Sequence, residues 1–285
     1  MIVLSPIQTK ILSALGAYKF LTSKQIFRLI QNKNLQSIYN DLRKIKDREF
    51  IDAVVYGGVS KSGTMHKLHY LTKKGAQVVA DMESMALELV KFPKSTNTLV
   101  KNDFHHRIQT IDLHIGYNEW ITHSGATVLF QDIYFDKTGA QRNPNDGFLK
   151  GKTRISLTET SYIDPDGIFG HITKENVPEI FVLEVANGQN TERILSQIQN
   201  VLYACYRGHI ANKYEIKTTP RLLVSFEHPS TLQSLLARFK KDTYLSRFEG
   251  VENYIFFGIH AETTVDFARS WKSLSGHSPA LFPLA

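Results

Sequence analysis

Hydrophobic spacing changes period twice within the first 85 residues, and each change limits which element can follow. From Pro6 to Leu15 the apolar Ile7, Ile11, Leu12 and Leu15 recur at helical spacing, with Gly16 as a stop signal. A second, short helix follows Phe20-Leu21, capped by Thr22 or Ser23 and carrying Ile26, Leu29 and Ile30 on one side. Leu35, Ile38, Tyr39, Leu42 and Ile45 mark a third. The period then becomes extended over Ile51–Tyr56, passes the turn signals Gly57, Gly58, Ser62 and Gly63, and stays extended over Lys67–Thr72. A helical pattern returns from Thr72 through Met85.

The polar side of the third helix shows Gln36, Ser37, Asn40, Arg43, Lys44 and Arg48, residue types that contact phosphates and base edges. Its apolar positions fix the helix on a core and leave that side free to enter a groove. Lys61 sits at the tip of the two-stranded ribbon, placed to touch a backbone phosphate. Three helices, a ribbon and a closing helix resemble a winged helix-turn-helix domain. The residues that carry the resemblance are Phe20-Leu21-Thr22, Gln25-Ile26, Leu42-Arg43, Tyr70-Leu71-Thr72 and Gly75-Ala76. That resemblance implies double-stranded DNA as partner, with a protein-interaction winged helix as the alternative.

Charge points the same way. The net +7 is unevenly spread: residues 1–100 hold 15 Lys/Arg against 7 Asp/Glu, whereas residues 101–285 hold 19 against 20. A positive field concentrated in the first third attracts polyanions. With 42% apolar and 21% charged residues, disorder and fibrous repeats are excluded. The single Cys205 excludes a disulfide framework and a cysteine-based zinc site. No apolar run approaches the roughly 18 residues of a membrane span, and the N-terminus has neither the charged nor the apolar region of a signal peptide. A cytoplasmic protein without membrane partners is expected.

The domain reading is a winged helix over residues 1–90, a linker over 91–102 containing Pro93, Ser95, Thr96 and Asn97, and a second domain over 103–285. That second domain reads as a helix over Phe104–Thr122 and strands over Thr127–Tyr134, Ser161–Ile172 and Glu179–Val185. A helix over Thr191–Arg207, a strand over Arg221–Phe226, a helix over Thr231–Tyr244, a strand over Val251–Ile259 and a short helix over Thr264–Trp271 complete it. Residues 137–155 form a polar, Gly- and Asn-rich insertion, expected to be mobile. The order predicts an α/β (α+β) fold class with a mixed sheet.

Glycine-rich phosphate loops, HExxH and GxSxG are absent. What remains is Asp164-Pro165-Asp166 on the second strand and Glu184-Val185-Ala186 on the third, separated so that a hairpin sets Asp166 beside Glu184. Paired carboxylates make a hard-oxygen site suited to Mg²⁺ or Mn²⁺, able to polarise a phosphodiester and activate water. The pattern resembles the restriction-endonuclease-like superfamily, whose motif is Pro-Asp, a spacer, then (Asp/Glu)-x-Lys. That resemblance implies catalytic and metal-binding roles for Asp166 and Glu184. Ala186 stands where the motif has lysine; Gln197, Gln189 or Gln199 could orient a water instead, and Lys174 is another candidate donor.

Both halves together, with His105-His106-Arg107 opening the second, resemble the plasmid replication-relaxation family, which includes MobC-type mobilisation proteins. The stretches Leu71–Ala76, Asp164–Asp166 and Phe181–Val185 carry this resemblance. It implies recognition of an origin-like DNA site, nicking with a divalent metal, and other relaxosome or replication proteins or a second copy of the chain as partners. The alternative is a regulator or relaxosome accessory protein that does not cut, its second domain a degenerate nuclease fold used for dimerisation or partner binding. The structural alternative for the pair is Asp166 as a turn cap before Gly167 and Glu184 as an edge-strand charge, and three further groups have two readings each. His106, Asp112 and His114 are a metal site or histidines satisfied by packing; Tyr203 and Tyr206 are nucleophiles or packing residues; Tyr254–Phe257 is a buried central strand rather than a base-stacking platform.

Overall fold

Capping residues explain where the helices of the N-terminal region begin. In the computed structural model, which describes residues 3–31, 34–55, 59–60, 63–64, 67–93, 103–138 and 150–277, Ser5 caps α1 (Pro6–Tyr18), with Pro6 at the first position. Ser5 and Gln8 bond each other's backbone N–H groups reciprocally. Gly16 does not stop this helix. The chain leaves it at Lys19, at φ 69°, and Gly16 serves close packing instead: a Cβ there would lie 3.1 Å from Val79 Cγ1.

Thr22 of the short β1 (Leu21–Thr22) caps α2 (Ser23–Ile30) in a second reciprocal box with Gln25. Asn34 caps α3 (Leu35–Asp47) by accepting from Gln36 N. Next come β2 (Ile51–Val54), β3 (Val59–Ser60), β4 (Gly63–Thr64), β5 (Leu68–Leu71) and α4 (Lys73–Glu83). The sheet order is β1-β5-β2, all antiparallel, and β3 pairs β4 beyond the β2–β5 ribbon. This is the winged-helix arrangement. Ile11, Leu12, Leu15, Ile26, Ile38, Ile45 and Leu71 are fully buried in its core, each worth about 1.5–3 kcal/mol of burial.

The closing helix is clamped to the ribbon at one point. Thr72 N donates to Phe50 O at 3.0 Å, Thr72 Oγ1 donates to Glu49 O at 2.6 Å, and the same hydroxyl accepts from Gly75 N. Gly75 thereby lies so close to the backbone just before β2 that a Cβ would fall 1.8 Å from Phe50 O.

The chain divides into two compact units, Met1–Ile111 and Asp112–Ala285, with the division inside α5 (Phe104–Ser124). After α5 the second unit contains β6 (Thr127–Ile133), β7 (Lys137–Thr138), β8 (Lys150–Gly151), β9 (Ile155–Ser156), β10 (Tyr162–Ile163), β11 (Gly167–Ile172) and β12 (Pro178–Ala186). Then come α6 (Thr191–Tyr206), α7 (His209–Lys213), β13 (Arg221–Phe226), α8 (Pro229–Phe239), β14 (Ile255–Ile259) and α9 (His260–Thr263). The five-stranded sheet has the order β14-β13-β12-β11-β6. β6, β11 and β12 are antiparallel, and β12, β13 and β14 run parallel, which makes the sheet mixed.

Strand alternation separates two apolar faces. Ile168, Ile180, Val182, Leu222 and Val224 pack with Ile194, Ile198, Val201 and Leu202 of α6 and with Leu235 and Phe239 of α8. Phe169 and Phe181 turn the other way, onto Tyr117 of α5, with ring centroids at 4.8 and 6.2 Å.

Several sequence expectations change here. The stretch Ser161–Ile172 is not one strand: Asp164-Pro165-Asp166 lies between β10 and β11, where Pro165 lacks the N–H a ladder needs. α8 starts at Pro229 and stops at Phe239, because Asp242 Oδ1 accepts from Tyr244 N and Leu245 N and forms a turn. Residues 264–271 form turns rather than a helix; α9 precedes them, and Asp266 Oδ1 accepts from Arg269 N. β14 is buried as expected but is an edge strand, covered by a bridge from Phe257 to Lys272. The ends of the 137–155 segment are paired, β7 with β8, and residues 139–149 lie outside the described residues, as does most of the linker.

Candidate functional site

On α3 the inward positions are Ile38, Asp41, Leu42 and Ile45. Asp41, the one charged group among them, is satisfied at Oδ1 by Gln8 Nε2 of α1 at 3.0 Å, both groups buried. Removing that carboxylate from the surface leaves an outward side of Gln36, Asn40, Arg43 and Lys44, all exposed, with Ser37 half-buried at its edge. Among the described residues the Arg43 and Lys44 side chains make no hydrogen bond or ion pair, whereas Lys46 pairs with Asp52 at 2.9 Å. Arg48 is also committed elsewhere, donating to Val3 O. Two cations and two amide side chains on one helix side can meet phosphate and base-edge acceptors together. Lys61, expected at the ribbon tip, lies outside the described residues.

In the second unit the hairpin brings Asp166 and Glu184 together. Gly167 pairs with Leu183, so the next step of the register sets Asp166 against Glu184. Asp166, 7% exposed, accepts from Val185 N at 2.7 Å through Oδ2. Burial, and then the Asp166 carboxylate beside it, push Glu184 well above the usual carboxylate range, and its carboxyl hydrogen-bonds Asp166.

Asp166 Oδ2 is already engaged by the Val185 amide, Ala186 follows where the motif has an ammonium, and no group of three His, Cys, Asp or Glu side chains converges among the described residues. Gln197 and Gln189 are exposed, and Gln199 donates to Asp242 at 2.7 Å. Lys174 lies in the turn at the far end of the β11–β12 hairpin, about six residues of strand from Asp166.

His114 is buried against Phe169 and bonds Gln131 at 2.9 Å, while Asp112 faces His260 at 3.7 Å. Tyr203 lies against His209 and under Arg207, and Tyr206 packs edge-on to Phe248.

One constellation was not read from the sequence. Lys150, Lys152 and Arg154, with Lys213 of α7 and Tyr162 of β10, line a cleft of about 550 Å³. Its signal was present: the three basic residues alternate, the spacing that turns side chains to one side of an extended chain. Reading the segment as a mere insertion hid it.

No protein-family model matches the chain, and no curated protein does. Solved structures give partial likenesses. A mutant of MepR from S. aureus is 24% identical with a TM-score of 0.25, over 28% of this chain and 57% of that one. A mutant of ZitR from Lactococcus lactis is 19% identical with a TM-score of 0.25, over 29% and 53%. A mutant of MarR from E. coli, solved in complex with operator DNA, is 14% identical with a TM-score of 0.25, over 30% and 59%. This chain thus spans little more than half the length of those structures. No helix among the described residues is long and apolar enough to cross a membrane.

Proposed function

We propose that this chain is a double-stranded-DNA-binding protein that reads its site with the outward side of α3 and does not cut it. The observation that carries the reading is that side itself: Gln36, Asn40, Arg43 and Lys44 stand exposed on a helix whose other side is locked into a winged-helix core, in the unit that holds the basic excess. The resemblance to replication-relaxation and MobC-type proteins supplies the setting, an origin-like site on a mobile element, with relaxosome proteins or a second copy as partners. The second unit, in this reading, is a nuclease-like core in which the Asp166–Glu184 pair, without the motif lysine, no longer serves cleavage.

Binding of the full chain to labelled duplex should weaken steeply with salt through counterion release. Arg43→Ala with Lys44→Ala should weaken it by about 5- to 150-fold if either makes a bidentate base contact. Duplex binding unchanged by that double variant removes α3 from the interface. Cleavage is tested separately, on supercoiled plasmid carrying the origin region with Mg²⁺ or Mn²⁺. No nicking above that of Asp166→Ala is expected. Metal-dependent nicking lost in Asp166→Ala and Glu184→Ala would restore the catalytic reading of the pair.

A further inference from the structure

We propose that the cleft beside β8–β10 is a second nucleic-acid site, one that holds a single strand by its phosphates and stacks a base on Tyr162. This inference is independent of how α3 is used, because every group it invokes lies in the second unit.

The cleft has the charge for such a ligand. Lys150, Lys152, Arg154 and Lys213 share a cleft of about 550 Å³ with Asp132 and Glu159, and Asp132 Oδ1 lies 3.8 Å from Lys152 Nζ, so that with Asp164 beside Arg154 four cations outnumber three carboxylates. These groups are held in place. Arg154 makes a two-point pair with Asp164, Nε to Oδ1 at 3.0 Å and Nη2 to Oδ2 at 2.7 Å. Lys213 Nζ donates to the carbonyls of Lys152 and Arg154, tying α7 to the turn between β8 and β9 that carries two of the other cations. Burial lowers the Lys213 ammonium from its ordinary range, against the opposing pull of Asp132 and Asp164.

Tyr162 decides in favour of a strand with open bases. Its side chain is 54% exposed although one ring face is covered by the Arg154 guanidinium, 3.7 Å from the centroid. An exposed aromatic ring backed by a cation, in a basic cleft, suits base stacking alongside backbone contacts. In a duplex the base faces are already stacked, so this ring would gain nothing from it. The unpaired strand is therefore the ligand whose chemistry uses both halves of the cleft.

The experiment measures anisotropy of a fluorescein-labelled oligo-dT of about ten nucleotides with the full-length protein, and of a duplex in parallel. Wild type should bind the oligo-dT. Tyr162→Ala should weaken it about 5- to 150-fold, the range expected for loss of one stacked base, whereas Tyr162→Phe should keep it. Lys150→Gln with Lys152→Gln should reduce the salt slope by about 1.4, two single-strand phosphate contacts. Arg43→Ala with Lys44→Ala should leave oligo-dT binding intact, so failure at α3 and failure at the cleft give different patterns. Absence of oligo-dT binding by wild type overturns the proposal. So does loss of duplex binding in the cleft variants with oligo-dT binding unchanged, which would make the cleft a duplex contact.

Discussion

Gly75→Ala is expected to unfold the winged-helix unit at temperatures where the second unit still holds. The added methyl carbon would sit 1.8 Å from Phe50 O, a backbone atom that cannot swing aside as a side-chain tip can. Either α4 or the strand must move, and Thr72 binds both: its backbone N–H and hydroxyl hold Phe50 and Glu49 while it caps the helix. Overpacking of this kind costs about 3 kcal/mol, which in a unit of this size lowers the midpoint by roughly 12 to 24 °C. Gly16→Ala is the comparison. There the nearest atom is a Val79 methyl at 3.1 Å, so a smaller loss is expected. Calorimetry that resolves the two transitions, with duplex binding measured at low temperature, checks both. Equal, small shifts for the two variants would show that the clamp at Gly75 yields.

The second large effect concerns pH. Glu184 titrates well above the usual carboxylate range in the folded protein, through burial and the neighbouring Asp166. A folded state that keeps a proton the unfolded chain has released loses stability as pH rises. Its contribution is complete below the unfolded value near 4.5 and declines from there up to the raised folded value. Within that window the slope approaches about 1.4 kcal/mol per pH unit for one proton. Glu184→Gln keeps a donor toward Asp166 without a titrating group, so its second-unit midpoint should fall less steeply than that of wild type as pH rises through the window. Parallel pH profiles for variant and wild type would show that no proton is held there.

How much of this was legible in the residues depended on whether a local rule decided the outcome. Thr22-Ser23-Lys24-Gln25 announces a capping box, and α2 begins there. Arg221–Phe226 is an apolar run between breakers, and β13 has those bounds. Asp166 and Glu184 meet because hairpin register follows from strand alternation. Other features depend on groups remote in sequence. Nothing near Asp41 signals that Gln8, 33 residues earlier, draws it inward and off the polar side of α3. Nothing near Gly16 shows Val79 and Val90 packed against it. The proton held by Glu184 needs burial to raise it, which composition does not express.

The division of α3 into a locked and an unencumbered side has a consequence for descent. Ile38, Leu42, Ile45 and the Asp41–Gln8 bond set where the helix sits, while Gln36, Asn40, Arg43 and Lys44 contribute nothing to that placement. Substitutions at the four outward positions can therefore accumulate without a stability threshold intervening. Under the proposed reading, target preference and foldability are separately heritable, and the chain can follow a drifting DNA site by changing a handful of codons while its scaffold stays the same.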